Sequence, residues 1–265
     1  MKSKELAANQ LGVEQTIHGS LWGQMHGGYF SAPEVARPLV EAVRGVAEKC
    51  HPEVIVDLGG GTGFLLSQLR EGGVGPEIAL VNLDCSTAQL AMAQTMGIRT
   101  VWGSVDEFQR DAVVPTKGQA LWLMRSVLHY AGEAGLFPLL RHLRLQAKAG
   151  EGWVHQTACF EQAEDARCLN ELYRLMHTEK AYPTQAELQR RLEQAGWRVG
   201  AVLPAPVLSL DSADLSRRYG LSDAETHLIG EEMSREFGSQ GAVFRLTENG
   251  FQADLRYSIW LCEAL

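Results

Sequence analysis

The sequence has few cysteines, no concentrated basic charge and no long hydrophobic run. Its five cysteines are scattered through 265 residues without a C-x-x-C pair, so neither a disulfide framework nor a metal site is expected. The net charge is -8 and the densest basic spots are pairs such as Arg190-Arg191, which argues against nucleic-acid binding. No stretch approaches the roughly 18 apolar residues of a membrane span, and the first ten residues lack the apolar core of a secretory signal. We therefore expect a cytoplasmic protein with free thiols and no membrane partner.

Strand-like and helix-like segments alternate over the first two thirds of the chain. Short apolar runs rich in β-branched residues predict six strands, and helical spacing fills the gaps between them. This alternation predicts an α/β fold with a doubly wound, mostly parallel sheet. The predicted strands are "EVIVDL", "IALVNLD", "IRTVWG", "ALWLMRSVLH", "GWVHQTACF" and "WRVGAVL".

The remainder of the chain predicts an insertion within one domain. Residues 204–241 separate the sixth strand from the last apolar runs, and the capping box Ser222 to Glu225 predicts a helix there. Asn249-Gly250 between apolar runs predicts a hairpin. At the other end, Pro33 and Pro38 argue against a long unbroken helix, so we expect one from about residue 38. The predicted organisation is an N-terminal lid segment, 1–37, and a domain, 38–265, with a cap insertion at about 204–241.

The stretch "VIVDLGGGTGF" predicts a ligand site at the end of the first strand. Gly59, Gly61 and Gly63 alternate after Asp57, and glycine lets a ligand touch the backbone. The intervening Gly60 matches no required position and is expected only to ease the turn. Phe64 breaks the dinucleotide pattern G-x-G-x-x-G, and no lysine completes a phosphate loop. An acid before the glycines suits an ammonium group instead.

A second acid, Asp84, ends the second strand 21 residues past Gly63. A carboxylate at this place can accept both hydroxyls of a ribose. An adenosine attached to an amino acid would bring an ammonium group to Asp57 and ribose hydroxyls to Asp84.

These motifs resemble the class I S-adenosylmethionine-dependent methyltransferases. "VIVDLGGGTG", "VNLDCS", "VWGSVDEF", "LMRSVLHY" and "LQAKAGEGWVHQT" follow that family's order and spacing over roughly residues 50 to 200. The resemblance implies a Rossmann-like seven-stranded sheet whose last strand is antiparallel after a hairpin, and "YSIWLCEAL" fits that strand. It implies S-adenosyl-L-methionine as cofactor, with S-adenosyl-L-homocysteine as product.

The same resemblance implies the residues that would hold this cofactor. Asp57 and the alternating glycines would cradle the methionine part, and Asp84 would hold the ribose. Ser104 stands where many relatives have an aspartate. The remaining implied contacts are Cys85 on the adenine face, Ser104 and Val105 at the adenine edge, and Arg125 of the fourth strand.

An upstream segment, "LWGQMHGGYF", resembles the "WG…H.GY" segment of tocopherol and sugar C-methyltransferases. In those enzymes the segment covers the cofactor. The resemblance implies that His26 and Tyr29 lie near the transferable methyl group, as catalytic candidates, and that Tyr29 also contacts the cofactor.

The reaction predicted is methyl transfer to a small-molecule acceptor, with O-methylation and specialised metabolism preferred. A hydroxyl must lose a proton, so a base is needed. His129 is the leading candidate, since "RSVLHYAGE" is similar to a region of plant-type O-methyltransferases whose histidine is the general base. His26 and His177 are rivals. The acceptor pocket is expected to include Tyr173, Met176, His177 and Tyr182.

Other readings stay open at this stage. The acceptor atom could be carbon or nitrogen. A methyltransferase-like protein could bind the cofactor and catalyse a different reaction, such as a cyclisation. A nicotinamide-dependent oxidoreductase is disfavoured by the broken dinucleotide pattern. The chain could also form a homodimer.

Overall fold

The computed structural model describes residues 25–114 and 117–265, and gives only the backbone of Met25 and His26. A central sheet and a smaller sheet contain all the described strands. In chain order the strands are β1 Val54–Leu58, β2 Ala79–Asp84, β3 Arg99–Trp102, β4 Ala120–Arg125, β5 Gly152–Ala158, β6 Trp197–Pro204, β7 Leu208–Asp211, β8 Phe244–Thr247, β9 Gly250–Leu255 and β10 Tyr257–Ala264.

Helices connect these strands and cover the central sheet. Short 3-10 turns occupy Met25–Gly28 and Leu128–Ala131. The α-helices are α1 Pro33–Cys50, α2 Phe64–Glu71, α3 Thr87–Thr95, α4 Arg110–Val113, α5 Gly132–Gln146, α6 Ala163–Leu175, α7 Gln185–Gln194, α8 Ser212–Tyr219 and α9 Asp223–Phe237.

The central sheet has seven strands in the order β3-β2-β1-β4-β5-β10-β6. The strands from β3 through β5 pair in parallel, whereas β10 runs antiparallel to both β5 and β6. The order reverses between β1 and β4, and ligands of open α/β sheets bind at such a switch point, beside the carboxyl ends of the strands. The predicted doubly wound sheet with an antiparallel last strand is therefore confirmed.

Burial on both faces explains why the central strands could be recognised in the sequence. Every residue of β1, β4 and β5 is buried, as is typical of parallel strands covered by helices. One face packs four tryptophans, Trp122, Trp153, Trp197 and Trp260, against leucines of α5 and α7. The other face packs α1 and α2.

Helix α1 corrects the prediction that Pro33 and Pro38 would delay helix formation. The helix begins at Pro33 and passes through Pro38 without ending. Pro33 occupies the first turn, where a backbone N–H has no helical partner. Pro38 removes one bond, to the carbonyl of Glu34, and Glu34 is exposed so that water can take its place. An apolar face of buried residues on this helix outweighs that loss: Ala36, Leu39, Val40, Val43 and Ala47.

Strand β4 is shorter than the run "ALWLMRSVLH" predicts. It ends at Arg125 because Ser126 has a φ of 58°, a left-handed conformation that a strand cannot contain. The chain then forms the 3-10 turn Leu128–Ala131, which contains His129.

A three-stranded antiparallel sheet, in the order β7-β9-β8, lies between β6 and β10 in the chain. The hairpin predicted at Asn249-Gly250 is present, with Thr247 paired to Gly250. It lies in this small sheet, and not before the last strand of the central sheet, because Arg256 alone separates β9 from β10. We call β7, α8, α9, β8 and β9 together the small-sheet unit.

Among the helices that the structure describes, none combines the length and the apolar character that crossing a bilayer requires.

His155 is a buried imidazole in the tryptophan-rich face. It is fully buried, its ring stacks 4.2 Å from Trp153 and 6.1 Å from Trp260, and neither ring nitrogen has a partner among the described residues. Burial lowers its pKa from 6.5 to about 3, so the folded protein holds the neutral form.

This arrangement predicts acid sensitivity from a single residue. Below pH 6.5 His155 is protonated in the unfolded chain, whereas in the folded chain it stays neutral until about pH 3. His155 should therefore cost stability as the pH falls through this window, about 1.4 kcal/mol per pH unit. Replacing His155 by Phe should make the free energy of unfolding fall by about 2 kcal/mol less between pH 7 and pH 5, measured by urea titration.

His227→Phe is the matched control, because the side chain of His227 is 76% exposed. It should leave the pH dependence of the wild type. Equal pH slopes in wild type and H155F would contradict the assignment.

Candidate functional site

The loop after β1 is hydrogen-bonded to the end of β2. The N–H groups of Gly59 and Gly60 both donate to the Leu83 carbonyl, at 2.8 and 3.3 Å. Gly59, Gly61 and Gly63 have φ values of 73°, 56° and 80°, which disfavour any residue with a side chain. The loop thus presents bare backbone at the carboxyl edge of the sheet, where the sequence predicts the ligand.

Asp57 is a fully buried carboxyl group beneath this loop. Neither of its side-chain oxygens has a hydrogen-bond partner among the described residues. Burial, and secondarily repulsion by Asp84, raises its pKa to about 7, while Arg125 acts in the opposite direction. A buried acceptor without a donor is costly, so this position is suited to a ligand that brings N–H groups.

Asp84 shapes the loop directly. Its Oδ2 accepts the Gly61 N–H at 2.9 Å, and its Oδ1 accepts the Ser86 N–H at 2.8 Å. A carboxylate oxygen can accept more than one hydrogen bond. Asp84 therefore fixes the glycine loop and retains acceptor capacity for ligand hydroxyls.

Asn82 belongs to the site although the sequence analysis passed over it. It pairs in register with Asp57, and its Nδ2 donates to the Gly61 carbonyl at 2.7 Å. Its Oδ1 has no partner among the described residues, which makes it a second buried acceptor beside Asp57. An amide in the middle of the apolar run "IALVNLD" was the available signal.

Gly60 is required for a steric reason. A Cβ at this position would lie 2.5 Å from both Asp57 Oδ2 and Asn82 Oδ1. The expectation that Gly60 merely eases the turn is therefore wrong: the glycine lets two buried polar side chains lie against the loop.

The predicted adenine-side residues meet at the ends of β2 and β3. The indole of Trp102 donates to the Cys85 carbonyl at 3.1 Å. The Ser104 hydroxyl donates to the Asp106 carboxylate, and Val105 packs against the core. Asp106, two residues past Ser104, places a carboxylate on the same turn.

Arg125 contacts the segment that precedes α1. Its guanidinium donates to the carbonyls of Phe30 and Tyr29 at 3.2 and 3.3 Å and lies 5.2 and 5.5 Å from the centres of their rings. Burial lowers the pKa of Arg125. Arg125, the last residue of β4, thus connects the end of that strand to the N-terminal segment.

Tyr29 is buried and its hydroxyl is engaged. The hydroxyl donates to the Pro206 carbonyl at 2.5 Å and accepts from Gln156 Nε2 at 3.3 Å. Burial raises its pKa, so the phenol stays protonated near neutral pH. The side chain of His26 lies outside the described part of the structure.

A small cleft of about 20 Å³ lies beside the ends of β4 and β5, and half of the residues that line it carry aromatic rings. His129 is buried in it, with its ring 5.4 Å from Tyr182. Tyr173 contacts Tyr182 edge to face at 5.0 Å. The structure thus brings the predicted base, His129, together with Tyr173 and Tyr182 of the predicted acceptor pocket.

Met176 and His177 do not line this cleft among the described residues. Met176 packs into the core beneath the small-sheet unit. His177 follows the end of α6, with a φ of 58° and an exposed side chain.

Two basic residues complete the cleft. Lys180 Nζ donates to the Tyr219 hydroxyl at 2.9 Å and lies 4.7 Å from the centre of the Tyr130 ring. Arg218 donates to the Tyr130 hydroxyl at 3.3 Å. These contacts join the small-sheet unit to the loops after β4 and α6.

Ser126 and Tyr257 also line the cleft, and sequence reasoning missed both. Their hydroxyl oxygens are 2.7 Å apart, although 131 positions separate them in the chain. No local pattern announces such a pair. The described residues contain no cluster of side chains that could hold a metal ion.

Comparison with known proteins identifies the fold and no close relative. No family model matches the sequence, and no curated protein matches it.

Solved structures do match. The YcgJ protein from Bacillus subtilis is 13% identical, with a TM-score of 0.62 over 86% of this chain and 98% of that one. A geranyl diphosphate methyltransferase, solved with GPP and sinefungin, is 13% identical, with a TM-score of 0.51 over 85% of this chain and 77% of that one. An O-methyltransferase family protein from Burkholderia thailandensis is 13% identical, with a TM-score of 0.52 over 88% of this chain and 57% of that one. The chain has the Rossmann-like methyltransferase fold, as the motifs predicted.

The steric role of Gly60 predicts a large effect from one added methyl group. Gly60→Ala should lower the free energy of unfolding by about 1–3 kcal/mol, because the Cβ overlaps two buried polar groups. Gly45→Ala is the matched control: its Cβ meets no atom within 4 Å, and alanine should stabilise the middle of α1 by about 0.5–1 kcal/mol. Urea unfolding measures both, and a G60A variant as stable as wild type would disprove the packing argument.

Proposed function

We propose that this protein is an S-adenosylmethionine-dependent methyltransferase that acts on a small molecule. The observation that carries the proposal is Asp57, a fully buried carboxyl group without a hydrogen-bond donor beneath a loop of bare glycine backbone. This group lies at the switch point of the sheet, where nucleotide-like ligands bind.

The residues at this edge fit the parts of S-adenosylmethionine. Asp57 and Asn82 offer acceptors to an ammonium group, and Asp84 offers them to ribose hydroxyls. The turn containing Ser104 and Asp106 offers them to the amino group of adenine. Sinefungin, an analogue of this cofactor, is bound by the structurally similar geranyl diphosphate methyltransferase, which supports the assignment. When bound, the cofactor supplies a methyl group on a positively charged sulfur.

His129 is proposed as the general base for O-methylation. As the acceptor oxygen gains the methyl group it must lose its proton, and an imidazole can take that proton near neutral pH. The buried position of His129 in the aromatic cleft supports this role. Tyr29 and His26 remain proposed neighbours of the methyl group. Because burial raises the pKa of Tyr29, its proposed part is contact and not proton removal.

The acceptor cleft is proposed to be covered from two sides. Phe30 from the N-terminal segment and Leu208, Leu210 and Leu255 from the small-sheet unit all line it. This arrangement supports a lid within residues 1–37 and a cap at about 204–241. Removal of water from around a charged reaction centre favours methyl transfer. We place the enzyme in the cytoplasm and in specialised metabolism.

The primary test is calorimetric titration with S-adenosylhomocysteine, followed by transfer of a radiolabelled methyl group to a panel of phenols, carboxylic acids and amines. We expect binding of S-adenosylhomocysteine, no binding of reduced nicotinamide dinucleotide, and label in methyl ethers. Label on carbon or nitrogen would replace O-methylation by the corresponding reaction. Absence of S-adenosylhomocysteine binding would refute the proposal.

The raised pKa of Asp57 predicts that cofactor binding depends on pH. An ammonium group needs the carboxylate, so affinity for S-adenosylhomocysteine should rise about tenfold per pH unit from pH 5 to pH 7 and then level off. Asp57→Asn should bind weakly and lose this slope. Asp84→Asn should weaken binding by about 1.5–3 kcal/mol at pH 8, and its affinity should level off at a lower pH, because loss of the Asp84 charge lowers the pKa of Asp57. If the wild-type affinity for S-adenosylhomocysteine does not change between pH 5 and pH 7, the proposed role of Asp57 is wrong.

The role of His129 predicts a separation of turnover from cofactor binding. His129→Ala should lower turnover by about 10²–10⁴-fold and leave S-adenosylhomocysteine affinity unchanged. His26→Ala and His177→Ala test the rivals, and the exposed His227→Ala is the control. If H129A keeps full turnover and the alanine variant of His26 or His177 loses it, that other histidine is the base.

A further inference from the structure

The backbone of Ser126 is held in an unfavourable conformation. Its φ of 58° is left-handed, a conformation that is unfavourable for a residue with a side chain. The other described residues of this kind with a side chain, His51 and His177, each follow a helix, where such a conformation is common. Ser126 instead follows a buried strand, and its N–H donates to the Gln156 carbonyl at 2.8 Å.

The conformation of Ser126 determines where its hydroxyl lies. The hydroxyl is 2.7 Å from that of Tyr257, and Tyr257 stacks on Tyr29 with ring centres 5.8 Å apart. Burial raises the pKa of Tyr257, so both groups keep their protons near neutral pH. Two paired hydroxyls use one O–H between them. The second O–H is left to donate.

The surroundings of this pair define what it can bind. Ser126, Tyr257 and His129 all line the same cleft. Its walls include the rings of Phe30, Tyr173 and Tyr182. Because the cleft holds only about 20 Å³, a ligand binds when these walls move apart, and the aromatic faces then favour a planar ring over a flexible polar chain. A hydroxyl on that ring would find a donor in the Ser126–Tyr257 pair and a base in His129.

We propose that Ser126 and Tyr257 position the reacting hydroxyl of a phenolic acceptor. The inference rests on the proposed methyltransferase function and adds the acceptor class and two residues to it. It also accounts for serine in place of glycine: glycine would make the same turn at lower cost but has no hydroxyl to bind the acceptor.

The test compares variants that separate the hydroxyl from the backbone strain. Ser126→Gly and Ser126→Ala both lose the hydroxyl, but only glycine relieves the strain. S126G should therefore melt about 2–4 °C above S126A. The probe is 4-nitrophenol, titrated by absorbance in the presence of S-adenosylhomocysteine. Both variants should bind it about tenfold more weakly than wild type, and Tyr257→Phe should do the same.

The matched control is His51, because it also has a left-handed backbone and its side chain is exposed. His51→Gly should also melt above His51→Ala, with wild-type affinity for the probe in both. If affinity follows melting temperature, so that S126G binds better than S126A, Ser126 is structural and the proposal fails. Failure of wild type to bind 4-nitrophenol also overturns it. Titration with S-adenosylhomocysteine alone reports separately on the methyltransferase proposal.

Discussion

The attachment of the glycine loop to the end of β2 is the constraint on which the rest of the site depends. The backbone of the loop bonds to Leu83, and Asn82 and Asp84 bond to Gly61 from the neighbouring strand. These contacts require the parallel register that places Asp57 opposite Asn82. Once the loop is fixed, the carboxyl group of Asp57 is enclosed beneath it. The loop is therefore a product of two strands, although its glycines are contiguous in sequence.

The parts of the fold that local sequence determines could be predicted from it. Short apolar strands covered on both faces and helices with capping residues leave clear patterns, so the sheet, and the loop of Gly61 between Asp57 and Asp84, could be located. The errors concern contacts between distant segments. Pro38 is tolerated because α1 buries an apolar face, and β4 ends early because Ser126 is held by its neighbours. Gly60 matters because Asp57 and Asn82, on two neighbouring strands, both lie against it. The pairing of Ser126 with Tyr257 depends on where β10 enters the sheet.

Two groups that are suited to binding a ligand lower the stability of the folded protein. Asp57 is buried without a donor, and Ser126 holds a strained backbone. Each costs free energy in the folded protein, and neither improves packing. The tryptophan-rich face of the sheet and the leucines that cover it provide the compensating burial on the opposite side of the strands. Destabilising features at one edge of the sheet are thus tolerated because the interior is well packed.

The position of β10 has a consequence for the order of assembly. β5 and β6 do not pair with each other, because β10 lies between them, and β10 follows the whole small-sheet unit in the chain. During synthesis β6 therefore has no strand beside it until the small-sheet unit has been made. Such long-range pairing slows folding and leaves a strand edge exposed to other chains. A chain interrupted within the small-sheet unit would present both β5 and β6 as open edges, the kind of intermediate that chaperones protect.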